Sequence, residues 1–170
     1  MPEGKTQGWR EQLAGALAGA RSLVVLGIGN ELYQDDGAGV MLARSLVQSG
    51  CRSPKLLAIE AGPAPENFTG SVRRFNPSHV LMVDAADMDL KPGSIRVIEP
   101  DEITGAGFST HTLPLHVLAD YLSKEGFQVV VAGIQPKRVF WGSGISPEVA
   151  GAVARMAAFL KELKWQQDPL

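Results

Sequence analysis

Three side chains in the sequence are of types that bind metal ions or transfer protons: Asp36, Asp84 and His111. Asp36 follows an apolar segment that ends in Gly29, Asp84 closes a second apolar segment, and His111 directly precedes a helix-like pattern. In an open α/β sheet, ligands bind just beyond the carboxyl ends of the strands. Two carboxylates and one imidazole suit a borderline divalent ion such as nickel or zinc. Their wide separation along the chain forms no local motif, so only the fold can bring them together.

Each of these residues also has a structural interpretation. Asp35 and Asp36 precede a helix, where an aspartate oxygen often caps an open backbone N–H. Because a helix N-cap needs only one such residue, the other carboxylate can face the crevice at the carboxyl ends of the strands. Asp84 can be satisfied by loop amides, and a single histidine before a helix is often only a hydrogen-bonding residue. Of the other two histidines, His79 is expected at the surface and His116 at the surface or partly buried.

Strands and helices alternate along the chain, which predicts a layered α/β fold. Near-continuous apolar segments are typical of strands buried on both faces, and one strand follows a Pro-Gly turn too closely for a crossover helix. Strands are predicted over residues 22–28, 55–59, 79–84, 94–98 and 128–134, and helices over 37–48, 65–74, 112–124 and from 146 onward. We expect a three-layer α/β/α sandwich with a mostly parallel twisted sheet of about five strands, one of them antiparallel.

Composition restricts the class of protein. The chain has 170 residues, of which 45% are hydrophobic and 20% charged, and the formal net charge of −2 gives no reason to expect a nucleic-acid partner. Its one cysteine, Cys51, excludes an intramolecular disulfide and a CxxC site. No apolar run approaches the roughly 20 residues that span a bilayer, and charges interrupt the N-terminal segment too often for a signal peptide. We expect a cytoplasmic protein with a helical N-terminal extension over residues 1–21 and a single α/β domain over 22–170.

Other familiar sites do not fit the sequence. Gly27-Ile28-Gly29 begins like a dinucleotide fingerprint, but Leu32 stands where the third glycine belongs. HExxH, GxSxG and Walker A sequences do not occur. A nucleotide-type module built on the glycine-rich loop is therefore a minor alternative.

Several segments together carry a family resemblance: Gly27–Asn30 with Asp35–Gly39, then Val83–Ala85, then Thr110-His111. They resemble the hydrogenase maturation endopeptidases, which trim a C-terminal extension from the large subunit of nickel–iron hydrogenases. The resemblance runs from about Ser22 to the last helix. Further segments are most similar to the branch that processes the hydrogenase of formate hydrogenlyase; they are Ala64–Asn67, Asp87-Met88, Pro92-Gly93, Leu113–Leu115 and Gly133–Pro136.

The resemblance implies a function and a site. It places the family's metal-contacting, catalytic residues at Asp36, Asp84 and His111. The metal would be nickel carried by the hydrogenase large-subunit precursor, with no permanently bound cofactor, no membrane or nucleic-acid partner, and a monomeric enzyme. Many relatives have Asp-Gly-Gly where this chain has Glu60-Ala61-Gly62, so an acid is kept at a position linked to substrate choice.

The sequence leaves the chemical step open. Either Asp36 or Asp84 activates water as a general base, or the metal only positions the peptide. A protein that binds the precursor as a nickel-delivery or checkpoint factor, without cutting it, is the alternative function.

Overall fold

A computed structural model describes residues 8–50, 53–104, 107–108 and 113–165. In this part of the chain the strands are β1 (Leu23–Ile28), β2 (Leu56–Gly62), β3 (His79–Asp87), β4 (Ile95–Ile98), β5 (Gly107–Phe108) and β6 (Gln128–Ile134). The α-helices are α1 (Trp9–Ala16), α2 (Ala38–Gln48), α3 (Thr69–Phe75), α4 (Leu115–Lys124) and α5 (Pro147–Lys161), and short 3₁₀ segments cover Gln34–Gly37, Pro65–Phe68 and Pro100–Glu102.

The strands form one sheet in the order β2-β1-β3-β6-β4. The first four are mutually parallel and β4 is antiparallel to β6. This confirms the predicted mixed α/β fold with a mostly parallel sheet. The two-residue β5 pairs antiparallel with the end of β3, which the sequence did not predict. A pairing of two residues is too short to leave a hydrophobic pattern.

The sheet is buried on both faces, as its apolar strands predict. All six residues of β1 are buried, and they alternate between two hydrophobic clusters. Leu23 and Val25 face the cluster formed with α1, α2 and α5. Val24 and Leu26 face the cluster that includes residues of α3 and α4. Helices on both faces hold β1 and β3 at the centre, so the loops that follow these strands start from fixed positions.

Several element boundaries differ from the prediction, including the end of β2, which continues beyond Ile59 to Gly62. The third strand continues beyond Asp84 to Asp87, the predicted helix over 65–74 is a 3₁₀ turn followed by α3, and α4 begins at Leu115 with Pro114 as its N-cap. Helix α3 ends at Asn76, whose φ of 53° is a left-handed C-cap conformation.

The expected surface position of His79 is wrong. The residue is only 7% exposed, and its Nδ1 lies 2.9 Å from Ser78 Oγ. The prediction failed because His79 is the first residue of a central strand, where neighbours on both sides cover it. His116 is exposed, in agreement with the prediction.

Helix α1 is part of the packed structure. Leu13 lies in the core, and Trp9 packs edge-on against Phe159 of α5 with ring centroids 5.6 Å apart. The helix contacts β4, the outer strand of the sheet, where the Val97 N–H donates to Gln12 Oε1 at 3.3 Å. Among the residues described, no helix is both long and apolar enough to cross a membrane.

Candidate active site

Gly29, directly after β1, lies between the backbone of Asp36 and the carboxylate of Asp84. Its φ is +135°, and a Cβ built there would lie 1.9 Å from the Asp36 carbonyl oxygen and 3.2 Å from Asp84 Oδ1. A side chain at this position would therefore collide with the backbone of one acid and contact the carboxylate of the other. Glycine allows the β1–α2 loop to fold across the end of β3, so Asp36 and Asp84 share one small space.

Helix α2 begins in close contact with the ends of β1 and β3. A Cβ on Gly39 would lie 2.1 Å from the Val83 carbonyl oxygen and 2.4 Å from that of Ile28. The absence of a side chain lets the first turn of the helix rest on both strands. Because Asp36 lies just before this turn, the same contact fixes its position.

The two acids are held differently. Asp36 is 7% exposed, and its Oδ2 accepts a hydrogen bond from the Asn30 N–H at 3.0 Å. Asp84 is fully buried within β3, in register with Gly133 of β6. Burying carboxylates is costly and concentrates negative charge at the carboxyl end of the sheet. This end of the sheet is where an α/β fold binds its ligands.

Asp35 has a structural role that the sequence did not indicate. It is fully buried, and its Oδ2 accepts from the N–H groups of Lys137 and Arg138, at 2.8 and 3.0 Å. Ser146 donates twice, from its N–H to Oδ1 at 2.6 Å and from its hydroxyl to Oδ2 at 2.9 Å. Asp35 thereby joins the β1–α2 loop to the loop between β6 and α5.

These contacts also set the charge state of Asp35. Burial alone would raise the pKa of the carboxyl, but the N–H groups of Ser146, Arg138 and Lys137 and the Ser146 hydroxyl outweigh it and lower the pKa. The carboxyl is therefore ionised at neutral pH, and the two loops are arranged around this anion.

The capping interpretation of this acid pair is wrong. The N-cap of α2 is Gly37, and the helix has no side-chain cap hydrogen bond. Both acids lie in the 3₁₀ segment before α2, and Gly37 separates Asp36 from the helix. Their side chains therefore contact other partners.

Gln135 supports the neighbouring loop and was missed as a candidate. It is 7% exposed, its Oε1 accepts from the Met88 N–H at 2.6 Å and the Leu90 N–H at 3.3 Å, and its Nε2 donates to Asp87 Oδ1 at 3.2 Å. It ties the loop after β3 to the end of β6. A signal was present, since Gln135 is a polar residue that closes an apolar strand, as Asp84 does.

Arg44 of α2 forms salt bridges with two carboxylates, one on the loop after β1 and one on β2. Its Nη1 lies 2.9 Å from Glu31 Oε2 and its Nη2 lies 2.7 Å from Glu60 Oε1. The hydrogen bond from Arg44 lowers the pKa of Glu31. The acid at position 60, which is linked by resemblance to substrate choice, is therefore already engaged by a cation of its own chain.

His111, the third predicted site residue, lies outside the described residues. Among those that are described, no group of three or more His, Cys, Asp or Glu side chains is placed to hold a metal ion. The described part of the chain thus brings together two of the three predicted residues.

Comparison with known proteins gives consistent matches. A family model described as hydrogenase maturation protease (HycI) matches residues 40–162. The hydrogenase 3 maturation protease of Escherichia coli K12 is 41% identical over 116 residues, covering 66% of this chain and 72% of that protein.

Two solved structures have the same fold. The crystal structure of the maturation protease HycI from Thermococcus kodakarensis KOD1 superposes with a TM-score of 0.80 at 30% identity, covering 89% of this chain and 97% of the other. The solution structure of the endopeptidase HycI from Escherichia coli gives a TM-score of 0.72 at 37% identity, covering 81% and 87%.

Proposed function

The chain belongs to the hydrogenase maturation protease family, and from that premise we propose that it removes the C-terminal extension of a nickel–iron hydrogenase large-subunit precursor after nickel insertion. Its class of activity is that of an endopeptidase acting in hydrogenase maturation. The observation that supports the finer proposal is the meeting of Asp36 and Asp84 at Gly29, at the carboxyl end of the sheet.

In this proposal the nickel belongs to the substrate. Asp36, Asp84 and His111 contact the ion that the precursor carries, and the free enzyme, a cytoplasmic monomer, keeps no metal of its own. Two carboxylates that are 7% and 0% exposed carry a large electrostatic cost, which a divalent cation offsets. A precursor without nickel lacks that compensation, so the site discriminates between loaded and empty substrate.

The same carboxylates also serve the hydrolysis. One of the two acts as the general base and must be ionised to do so. The ionised member accepts a proton from the attacking water while the water oxygen bonds to the peptide carbonyl carbon. The C–N bond then breaks and the leaving nitrogen takes up a proton.

The test uses purified large-subunit precursor, with and without loaded nickel, mixed with this protein and analysed by mass spectrometry. We expect loss of a C-terminal peptide from the loaded precursor only. Asp36→Asn, Asp84→Asn and His111→Ala should each slow processing by about a hundredfold or more, the scale of a lost acid or base. Asp101→Asn is the control, because Asp101 is an exposed acid in the 3₁₀ segment after β4, which runs antiparallel to β6, and it should leave processing unchanged.

Two results would contradict the proposal. Binding of the loaded precursor without any change in its mass would favour the nickel-delivery or checkpoint alternative. A folded variant that still cleaves at the wild-type rate would remove the substituted residue from the mechanism.

A further inference from the structure

The exposed apolar residues of the protein are concentrated around the acid pair. Of the nine large hydrophobic residues that are exposed in the described chain, six lie on loops that follow β1, β3 and β6. Five of these form what we call the aromatic face: Leu32, Tyr33, Val139, Phe140 and Trp141. Phe140 and Trp141 are 73% and 71% exposed. Large aromatic side chains left in water at a single place are typical of an interaction surface.

The aromatic face is held in a defined shape. The rings of Tyr33 and Trp141 pack edge to face with centroids 5.5 Å apart. Beneath them the Gly142 N–H donates to the Leu32 carbonyl at 2.8 Å, and the Gln34 N–H donates to the Gly142 carbonyl at 3.0 Å. The two loops are therefore bridged like short parallel strands. A surface that is ordered before binding loses less conformational entropy when a partner arrives.

The aromatic face is continuous with the acid site. The Asp36 N–H donates to the Tyr33 carbonyl at 3.1 Å, and the Asp35 N–H donates to the Arg138 carbonyl at 2.9 Å. The backbone that carries the face thus carries the acids as well. A polypeptide whose metal reaches Asp36 and Asp84 passes beside these rings.

Charged residues on the loop after β6 indicate the charge of a segment that would bind there. Lys137 is paired with Glu148 at 2.8 Å, whereas Arg138 is exposed and forms no salt bridge with any residue that the structure describes. Residues 137–141 therefore carry two cations, both of which attract the single acid Glu148, so the loop keeps a net positive charge beside three apolar side chains. An apolar peptide segment with an acidic residue complements it.

We propose that the aromatic face docks an apolar, acid-containing segment of the precursor next to the bond that is cut. This inference rests on the proposed function and names a second contact for the same substrate. A second copy of the chain is a poorer occupant, because a symmetric contact through residues 137–141 would bring Lys137 and Arg138 of both copies together. It would also cover the acid pair.

The test measures the initial rate of processing against the concentration of nickel-loaded precursor. For Phe140→Ser combined with Trp141→Ala we expect KM to rise at least about tenfold, with kcat within about twofold of wild type, because exposed aromatics act as binding hot spots. Val139→Ser should raise KM about threefold, because losing roughly one methyl-sized apolar contact weakens substrate binding by about that factor. Val47→Ser is its matched control, since Val47 is 58% exposed on α2, away from this face, and it should leave KM unchanged.

A charge series and an association measurement complete the experiment. Arg138→Glu should raise KM, and Arg138→Lys should restore most of the loss. Wild-type cleavage with unchanged KM in the double variant would overturn the inference and leave the proposed function standing. A wild-type protein that does not cut the loaded precursor would overturn both. Sedimentation showing a wild-type dimer that the double variant dissociates would assign the face to a second copy and overturn the inference.

Discussion

Polar groups are partly or fully buried at both ends of the parallel sheet, but they have different roles at each end. At the amino end, Ser78 Oγ accepts from the N–H groups of Arg21 and Ser22, at 2.9 and 3.2 Å, and donates to the Ser22 carbonyl at 2.9 Å. Ser22 Oγ in turn accepts from the Ser78 N–H at 3.1 Å. These neutral groups satisfy one another and fasten the start of β1 to the start of β3.

At the carboxyl end the buried groups include three carboxyl groups, those of Asp35, Asp36 and Asp84. Asp35 fastens two loops together, much as the serine pair fastens two strands, but Asp36 and Asp84 lie against Gly29 at the site of the proposed chemistry. The comparison teaches that buried polarity alone does not mark a functional site. Nor does buried charge alone, since Asp35 is a buried anion that fastens two loops; Asp36 and Asp84 differ from it in their position against Gly29.

Removing Asp35 should have the largest effect on stability. Asp35→Ala leaves four donors without their acceptor, two buried ones on Ser146 and two partly buried ones on Lys137 and Arg138, so we expect a loss of about 2–4 kcal/mol in the free energy of unfolding. Urea titration monitored by circular dichroism measures it. Because the loops at the acid pair are also released, processing should fall. A loss below about 1 kcal/mol would show that the two loops hold together by other contacts.

Breaking the amino-end network should separate stability from activity. We expect Ser78→Ala to cost about 1–2 kcal/mol, since it removes an acceptor shared by two N–H groups and a donor to a carbonyl. Processing below the melting temperature should be unchanged. Ser123→Ala, on the exposed side of α4, is the control for stability. If Ser78→Ala slowed processing without destabilising the fold, the division between the two ends would be wrong.

Lowering the pH should destabilise the two ends of the sheet in different pH ranges. Burial, and then the charge of Arg21, lower the pKa of His79 below its ordinary 6.5. The unfolded chain therefore binds a proton more readily there, and stability falls as the pH drops below about 6.5. The lowered pKa of Asp35 contributes stability that is present above its ordinary 3.8 and is lost as the pH falls through its folded value.

The two pH-dependent losses of stability can be measured by urea unfolding at a series of pH values from 8 to 3. His79→Gln should flatten the change just below pH 6.5 and leave the more acidic change in place. Asp35→Asn should do the reverse. An unchanged profile in His79→Gln would show that another group titrates at the amino end.

The sequence predicted those features whose causes are local. Strand β1 is apolar at every position, and Asp84 is a carboxylate within an apolar strand, so both were visible in the pattern. The role of Asp35 was not, because its partners Lys137 and Ser146 lie 102 and 111 residues away. A carboxylate before a helix resembles a cap until the distant loop is placed beside it.

The aromatic face was likewise not predictable from local sequence, because it joins residues that are far apart in the chain. Val139, Phe140 and Trp141 follow no helical or strand period, and their meaning depends on Tyr33, more than a hundred positions earlier. Composition records such residues only as part of the hydrophobic total. His111 remains a prediction from the resemblance, since it lies outside the described residues.

Helix α1 has a consequence for how the protein meets other chains. An outer strand such as β4 is a template on which a foreign strand can extend the sheet. The Val97 N–H, which would begin that extension, is occupied by the side-chain oxygen of Gln12. A foreign strand that paired with β4 at this position would therefore first have to displace the Gln12 side chain.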